Sequence, residues 1–271
     1  MGFFERIGRG WNLALASFDI IKKNKCLLVF SVFSIASLVL VMGSFIIGLF
    51  VMAGSGSSIH LSKYLLLFMF YFINSTVIIF FNMALIHCTF KILSGGQASI
   101  GEGISFSFSR LPLVLSWALV STTVGLVLRI IEDKHEIVTK IVTGLFGMLW
   151  SLATFLVIPV MAYENLGVFE AVKRSAVLFK STWGERVGAS FSFGIIGFIL
   201  FIAVGIFLGF LIIPFSFVAF IIFLIFAGSI ISCIMSAGQT VFLAAVYQYS
   251  AGIPVEGFDK TEFGNLFIPK G

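Results

Sequence analysis

The sequence predicts an all-α, polytopic transmembrane helical bundle of about six spans, and three observations carry that prediction. Val187 to Val255 runs for 69 residues without Asp, Glu, Lys, Arg or His. A helix needs about 20 apolar residues to cross a hydrocarbon core about 30 Å thick, so this run holds two crossings and a turn. The chain as a whole is 59% hydrophobic and 11% charged, against about 25% charged residues in an ordinary soluble domain. Its mean hydropathy is +1.14. Finally, the remaining charges cut the sequence into apolar segments of spanning length. The bilayer core offers no water to a peptide group, so each segment must satisfy its own backbone as a helix.

The N-terminal 26 residues interleave Trp11, Leu13, Leu15 and Phe18 with Arg6, Arg9, Lys22, Lys23 and Lys25. That pattern predicts a cytoplasmic helix lying on an anionic membrane surface. The first long apolar run begins only at Leu27 and is too long for the core of a signal peptide, so a mature cytoplasmic segment is expected. Spans follow at Leu27 to Ala53, Tyr64 to Phe90, Leu111 to Arg129, Ile141 to Met161, Ala189 to Leu211 and Ser216 to Tyr247. One integral membrane domain is read over residues 1–271, with the bundle over 27–247 and a cytoplasmic tail over 248–271.

Alternating the connections puts Arg6, Arg9, Lys22, Lys23, Lys25, Lys91, Arg110, Lys173, Arg174, Lys180, Arg186, Lys260 and Lys270 on one side. Lys63, Arg129, Lys134 and Lys140 fall on the other, and thirteen against four predicts cytoplasmic termini in an inner membrane. The pI near 9.2 is explained by these scattered groups, since they form no single basic face for nucleic acid. In the last connection Pro214 is the strongest turn signal; a re-entrant loop is the alternative. A turn there makes the final helix longer than thirty residues, so it must tilt, bend or extend into the cytoplasm.

Stretches around Ile7 to Lys25, Ile100 to Arg110 and Val168 to Arg186 each precede a pair of spans, which suggests three copies of interfacial helix plus hairpin. In the third, Val168, Ala171, Val172, Ser175, Ala176 and Phe179 share one face while Glu170, Lys173, Arg174 and Lys180 lie elsewhere. Glu164, Lys173, Arg174, Lys180 and Arg186 are therefore the candidate cytoplasmic contact for lipid or partner, with Glu164 expected to pair with a nearby cation.

No catalytic constellation is expected, and neither a cofactor nor a metal site. His60, His87 and His135 belong to different ends or connections, and there is no HExxH, GxSxG, Walker A or GxGxxG pattern. Cys26, Cys88 and Cys233 are far apart and predict reduced, buried thiols. His87 reads as a packing or interfacial residue. Gly54 to Ser58 reads as a flexible turn, and Gly95-Gly96-Gln97 as a helix stop.

Polar faces inside the spans are better defined. Ser229, Ser232, Ser236 and Thr240 follow one another at helical spacing with Gln239 adjacent. Thr143, Gly147, Ser151 and Thr154 repeat the pattern in the fourth span, and Ser75, Asn82 and Thr89 recur at seven in the second. Gly205 and Gly209 add a GxxxG spacing. Such stripes let helices approach and hydrogen-bond at about 1 kcal/mol or less per bond. Asn82, Ser229, Ser232, Ser236, Gln239 and Thr240 thus form either a packing face or a polar conduit.

Trp150, Pro159, Glu164, Ala171, Ser175, Trp183 and Gly184, with the basic helix before each hairpin, resemble an uncharacterised family of bacterial multi-pass membrane proteins known as a domain of unknown function. The pattern is also similar to membrane domains attached to some bacterial glycerophosphodiester phosphodiesterases. That likeness implies no catalysis, because the chemistry there belongs to a separate soluble domain missing from this chain. Two functional readings follow. One is a non-enzymatic, lipid-interacting membrane protein that self-associates or assists a membrane partner; the other is an oligomeric channel or facilitator for a small solute or ion. The expected partners are membrane lipids and a second copy or membrane protein, with no nucleic acid.

Overall fold

A computed structural model describes residues 14–54, 60–132, 137–181, 183–214 and 216–253. Within them the secondary structure is helical throughout: α1 (14–23), α2 (Cys26–Gly54), α3 (His60–Leu93), α4 (Ile100–Ser109), α5 (Leu111–Glu132), α6 (Ile137–Thr154), α7 (Val157–Glu164), α8 (Val168–Ser181), α9 (Trp183–Ile212) and α10 (Phe217–Ser250). Six spans are long and apolar enough to cross a membrane, with α6 and α7 together forming the fourth. The predicted order is present: α1, α4 and α8 each precede two spans. Arg6, Arg9 and Trp11, His135, and the tail from residue 254 lie outside the described residues.

Local chemistry sets the helix ends. Gly95 adopts φ 80° after α3, and Gly252 φ 74° after α10. Each ends its helix with the paired bonds of a Schellman motif: Gly96 N–H to Lys91 O at 2.9 Å with Gly95 N–H to Ile92 O at 3.0 Å, and Ile253 N–H to Gln248 O at 2.9 Å with Gly252 N–H to Tyr249 O at 3.0 Å. The Gly95-Gly96 stop is thus realised as a defined cap.

The fourth span differs from the sequence expectation, which ran it unbroken from Ile141 to Met161. It breaks at Phe155 and Leu156. Pro159 has no N–H to donate and its ring would meet the carbonyl four residues earlier, so it is tolerated only in a first turn. A new helix, α7, accordingly starts at Val157. The break frees the Leu156 N–H, which is buried and donates to Ser175 Oγ of α8 at 2.9 Å.

Spatially the chain divides into two compact units, one of residues 1–32, 88–100 and 181–271, the other of 33–87 and 101–180. In the first, α9 and α10 form an antiparallel hairpin. Pro214 does mark a tight turn: Ser216 N–H bonds to Ile212 O at 3.0 Å, and the Ser216 hydroxyl caps α10 by accepting from Ala219 N–H at 3.3 Å. Glycines set the hairpin's closeness. A Cβ at Gly205 would stand 3.5 Å from Leu224, at Gly209 3.6 Å from Phe220, at Gly228 3.1 Å from Phe201 and at Gly197 3.2 Å from Met235. The GxxxG positions are therefore packing positions.

α10 is 34 residues long, about 50 Å at 1.5 Å per residue, and its two ends differ. Phe217 to Phe223 is mostly exposed, whereas Ala237, Gly238 and Val241 through Gln248 are nearly all buried. The buried end anchors the first unit. A Cβ at Gly238 would lie 2.8 Å from the rings of both Phe18 and Phe193, which meet edge to face with centroids 5.5 Å apart. Phe193 also meets Phe242, and Tyr247 meets Phe90. Gln248, fully buried, donates from Nε2 to Phe90 O at 3.3 Å and so docks α10 on the last turn of α3.

In the second unit α4 lies on α3, with Ser107 Oγ donating to Phe80 O at 2.9 Å and the Phe80 and Phe108 rings 5.0 Å apart. His87 stacks on Phe106 at 4.0 Å, with the Arg110 guanidinium 5.5 Å from the same ring. His87 therefore serves packing. Trp117 of α5 stacks on Trp150 of α6 at 6.0 Å. The stripe on α6 also packs: Thr143 is buried, and a Cβ at Gly147 would touch Leu128 at 4.0 Å.

Two stability effects follow. Gly238→Ala should lower unfolding stability in detergent by about 1–3 kcal/mol through overpacking, while Gly194→Ala, with nothing within 4 Å of its Cβ, should not lower it and should raise it by up to about 1 kcal/mol. Ser175→Ala should cost about 1–3 kcal/mol by orphaning the buried Leu156 N–H, whereas removing the exposed Ser109 hydroxyl should be silent in the same measurement.

Candidate functional site

Among the predicted contact residues, the second unit brings together those at the α7–α8 junction. Asn165 ends α7 in the left-handed region at φ 52°, a conformation Asn tolerates because its short side chain bonds locally. The chain then turns back, and Arg174 Nε donates to both Glu164 oxygens at 3.0 and 3.2 Å. Glu164 thus pairs with one of the expected cations. The pair is partly exposed, so it fixes the junction more than it stabilises the fold.

α8 uses two faces. Val168, Ala171, Ser175, Leu178 and Phe179 are buried against the protein, with the Phe155 and Phe179 rings 6.1 Å apart. The opposite face carries Phe169, 79% exposed, then exposed Lys173, then Val177, 60% exposed, one turn apart. An aromatic, a lysine and an aliphatic residue in line suit the polar–apolar boundary of a bilayer, where rings and the lysine stem meet apolar surface and the ammonium stays wet. The side chains of Lys180, Trp183 and Arg186 lie outside the described residues.

The candidate conduit residues of α10 differ in burial. On α10, Ser229, Ser232, Ser236 and Gln239 are exposed. Thr240 is buried and its hydroxyl returns to Ser236 O at 2.9 Å, as Ser229 returns to Ile225 O at 2.9 Å. Asn82 is half-buried on α3, in the other unit. Of the α3 stripe, Ser75 accepts from Thr122 Oγ1 of α5 at 3.1 Å.

That last bond borders a cavity that sequence reasoning did not single out. It measures about 250 Å³ and is lined by Tyr71 and Ser75 of α3 and by Ser121, Thr122, Gly125, Leu126 and Arg129 of α5. Tyr71 and Ser75 are one turn apart, as are Ser121, Gly125 and Arg129, so each helix turns one line of groups into the space. Arg129 Nη1 donates to Tyr71 Oη, and its Cζ lies 5.9 Å from the Tyr71 ring centroid. The visible signal was an arginine on one helical face with a glycine and a serine, but nothing in a single helix names the facing residues. Among the described residues, no three His, Cys, Asp or Glu side chains gather as a metal site would require.

Residues 61–257 match the DUF6159 family, described as a family of unknown function. Neither the comparison with curated proteins nor that with solved structures returns a match. The matched stretch takes in the described helices from α3 to the last turn of α10, so the chain is a multi-pass membrane protein that belongs to the DUF6159 family.

Proposed function

We propose that this protein is a non-enzymatic lipid-interacting component of an inner membrane, with both termini cytoplasmic, that self-associates. The observation carrying the lipid reading is the exposed Phe169, Lys173 and Val177 line on α8, whose other face is already buried in protein. A helix held on both sides in this way lies along the headgroup layer, and each lysine near an anionic surface contributes about 1 kcal/mol of attraction. Support for the orientation comes from the thirteen-to-four bias of Lys and Arg.

Self-association is supported by α10. Ser229, Ser232, Ser236 and Gln239 lie at alternating three- and four-residue steps, exposed on a spanning helix. Small and polar side chains at that spacing pack and hydrogen-bond between spans better than they do against lipid tails. The same stripe lines a solute route only between copies, so the channel reading requires the oligomer as well.

Two measurements check these statements. With the full chain in maltoside detergent, Lys173→Gln combined with Phe169→Ser should reduce co-purifying phosphatidylglycerol severalfold without lowering thermal stability; undiminished lipid would remove the α8 reading. Ser232→Cys and Ser236→Cys should give crosslinked dimers in native membranes, and absence of dimer at both positions rejects association through this face. Flux through reconstituted liposomes that disappears with Gln239→Leu would instead support the channel.

A further inference from the structure

We propose that the α3–α5 cavity is an oxyanion site that takes a phosphate group, either the phosphodiester of a membrane lipid or free phosphate. The site is separate from the α8 face and does not depend on it. Arg129 lies within the span Leu111–Ile131, at the opposite end of α5 from α4. Ionisable residues in spans are expensive and generally mark function. An arginine at a span end can also reach out to water; Arg129 is exposed, and its guanidinium bonds and overlies Tyr71, which lines the same cavity.

The lining fits an anion. Among the described residues that line it none is acidic, and Arg129 supplies the charge. Tyr71 Oη accepts from Arg129, so its own proton is left to donate; Ser75 Oγ accepts from Thr122, which likewise leaves the Ser75 proton. The remaining guanidinium N–H groups add further donors to the same lining. A planar fork of donors matches the oxygens of a phosphate, which a lysine point charge does not.

Space is provided by Gly125, one turn from both Ser121 and Arg129. A Cβ there would meet nothing within 4 Å, so the room a side chain would take is left to the cavity. At about 250 Å³ it is several times the roughly 30 Å³ share of one water and suits a headgroup-sized ligand. The glycine also permits a test, because a side chain begun there has room for its first carbon and extends from the lining of the cavity.

The test uses the full chain in maltoside detergent with three probes: phosphatidylglycerol, diacylglycerol lacking phosphate, and inorganic phosphate. Native mass spectrometry reads the lipids and phosphorus NMR line broadening reads the free ion. With the α8 lipid removed by Lys173→Gln and Phe169→Ser, the chain should still bind one phosphatidylglycerol, or phosphate, in preference to diacylglycerol. In that background Gly125→Leu and Arg129→Gln should each weaken the remaining binding at least tenfold, Arg129→Lys should give a smaller loss, and Ser109→Ala, at an exposed hydroxyl outside the cavity, should leave it unchanged. Loss confined to the lipid probe assigns the site to a membrane phospholipid, and phosphate binding with the same variant dependence assigns it to the free ion. If Gly125→Leu and Arg129→Gln bind both phosphate-bearing probes as that background does, or if diacylglycerol binds equally well, the proposal is wrong. Should Gly125→Leu melt early, Arg129→Gln with the Arg129→Lys comparison decides alone.

Discussion

Hydrocarbon gives a peptide group nothing to bond to, and the architecture follows from how this chain meets that demand. Where the helical ladder runs unbroken, the backbone satisfies itself. Where it stops, a side chain or a glycine cap takes over. Ser175 accepts the N–H freed at Leu156, Ser216 caps α10, and Gln248 reaches the Phe90 carbonyl at the end of α3. The Cys88 thiol lies 3.5 Å from Ser99 O, and Cys26 3.8 Å from Ala98 O, over the connection after α3. These polar groups look minor in composition, yet they hold the ends of apolar helices in place.

Apolar attraction cannot select one helix partner over another inside a bilayer, because lipid tails are as apolar as Leu or Phe. Shape must do it. The α9–α10 hairpin achieves this with glycines set against large side chains, and the tightest of these contacts, at Gly238, joins α10 to Phe18 of α1 and Phe193 of α9. A single glycine thereby ties the N-terminal helix to the last hairpin.

Much of the fold was legible because charge and length mark spans without knowledge of neighbours. The six crossings, the short helices before each pair and the Pro214 turn could all be read from the chain. The break at Phe155 and Leu156 could not, because its signal, Pro159, lies inside an apolar run that reads as one span, and its repair comes from Ser175 nineteen residues later. The candidate sites were legible unevenly for a related reason. Periodicity places Glu164 near the basic segment and aligns Ser229, Ser232, Ser236 and Gln239, since both are local facts. The facing of Tyr71 and Arg129 depends on the relative rotation of α3 and α5, which no single helix encodes.

The contrast between the two ends of α10 has a mechanical meaning. Its C-terminal end is clamped by aromatic rings and by Gln248, while its N-terminal end, toward Phe217, leaves its side chains exposed. A rod held this way acts as a cantilever in a medium of variable thickness. In a bilayer that thins or thickens, mismatch strain of a fraction of a kcal/mol per Å would meet least resistance at the Pro214 tip and most at the clamped core.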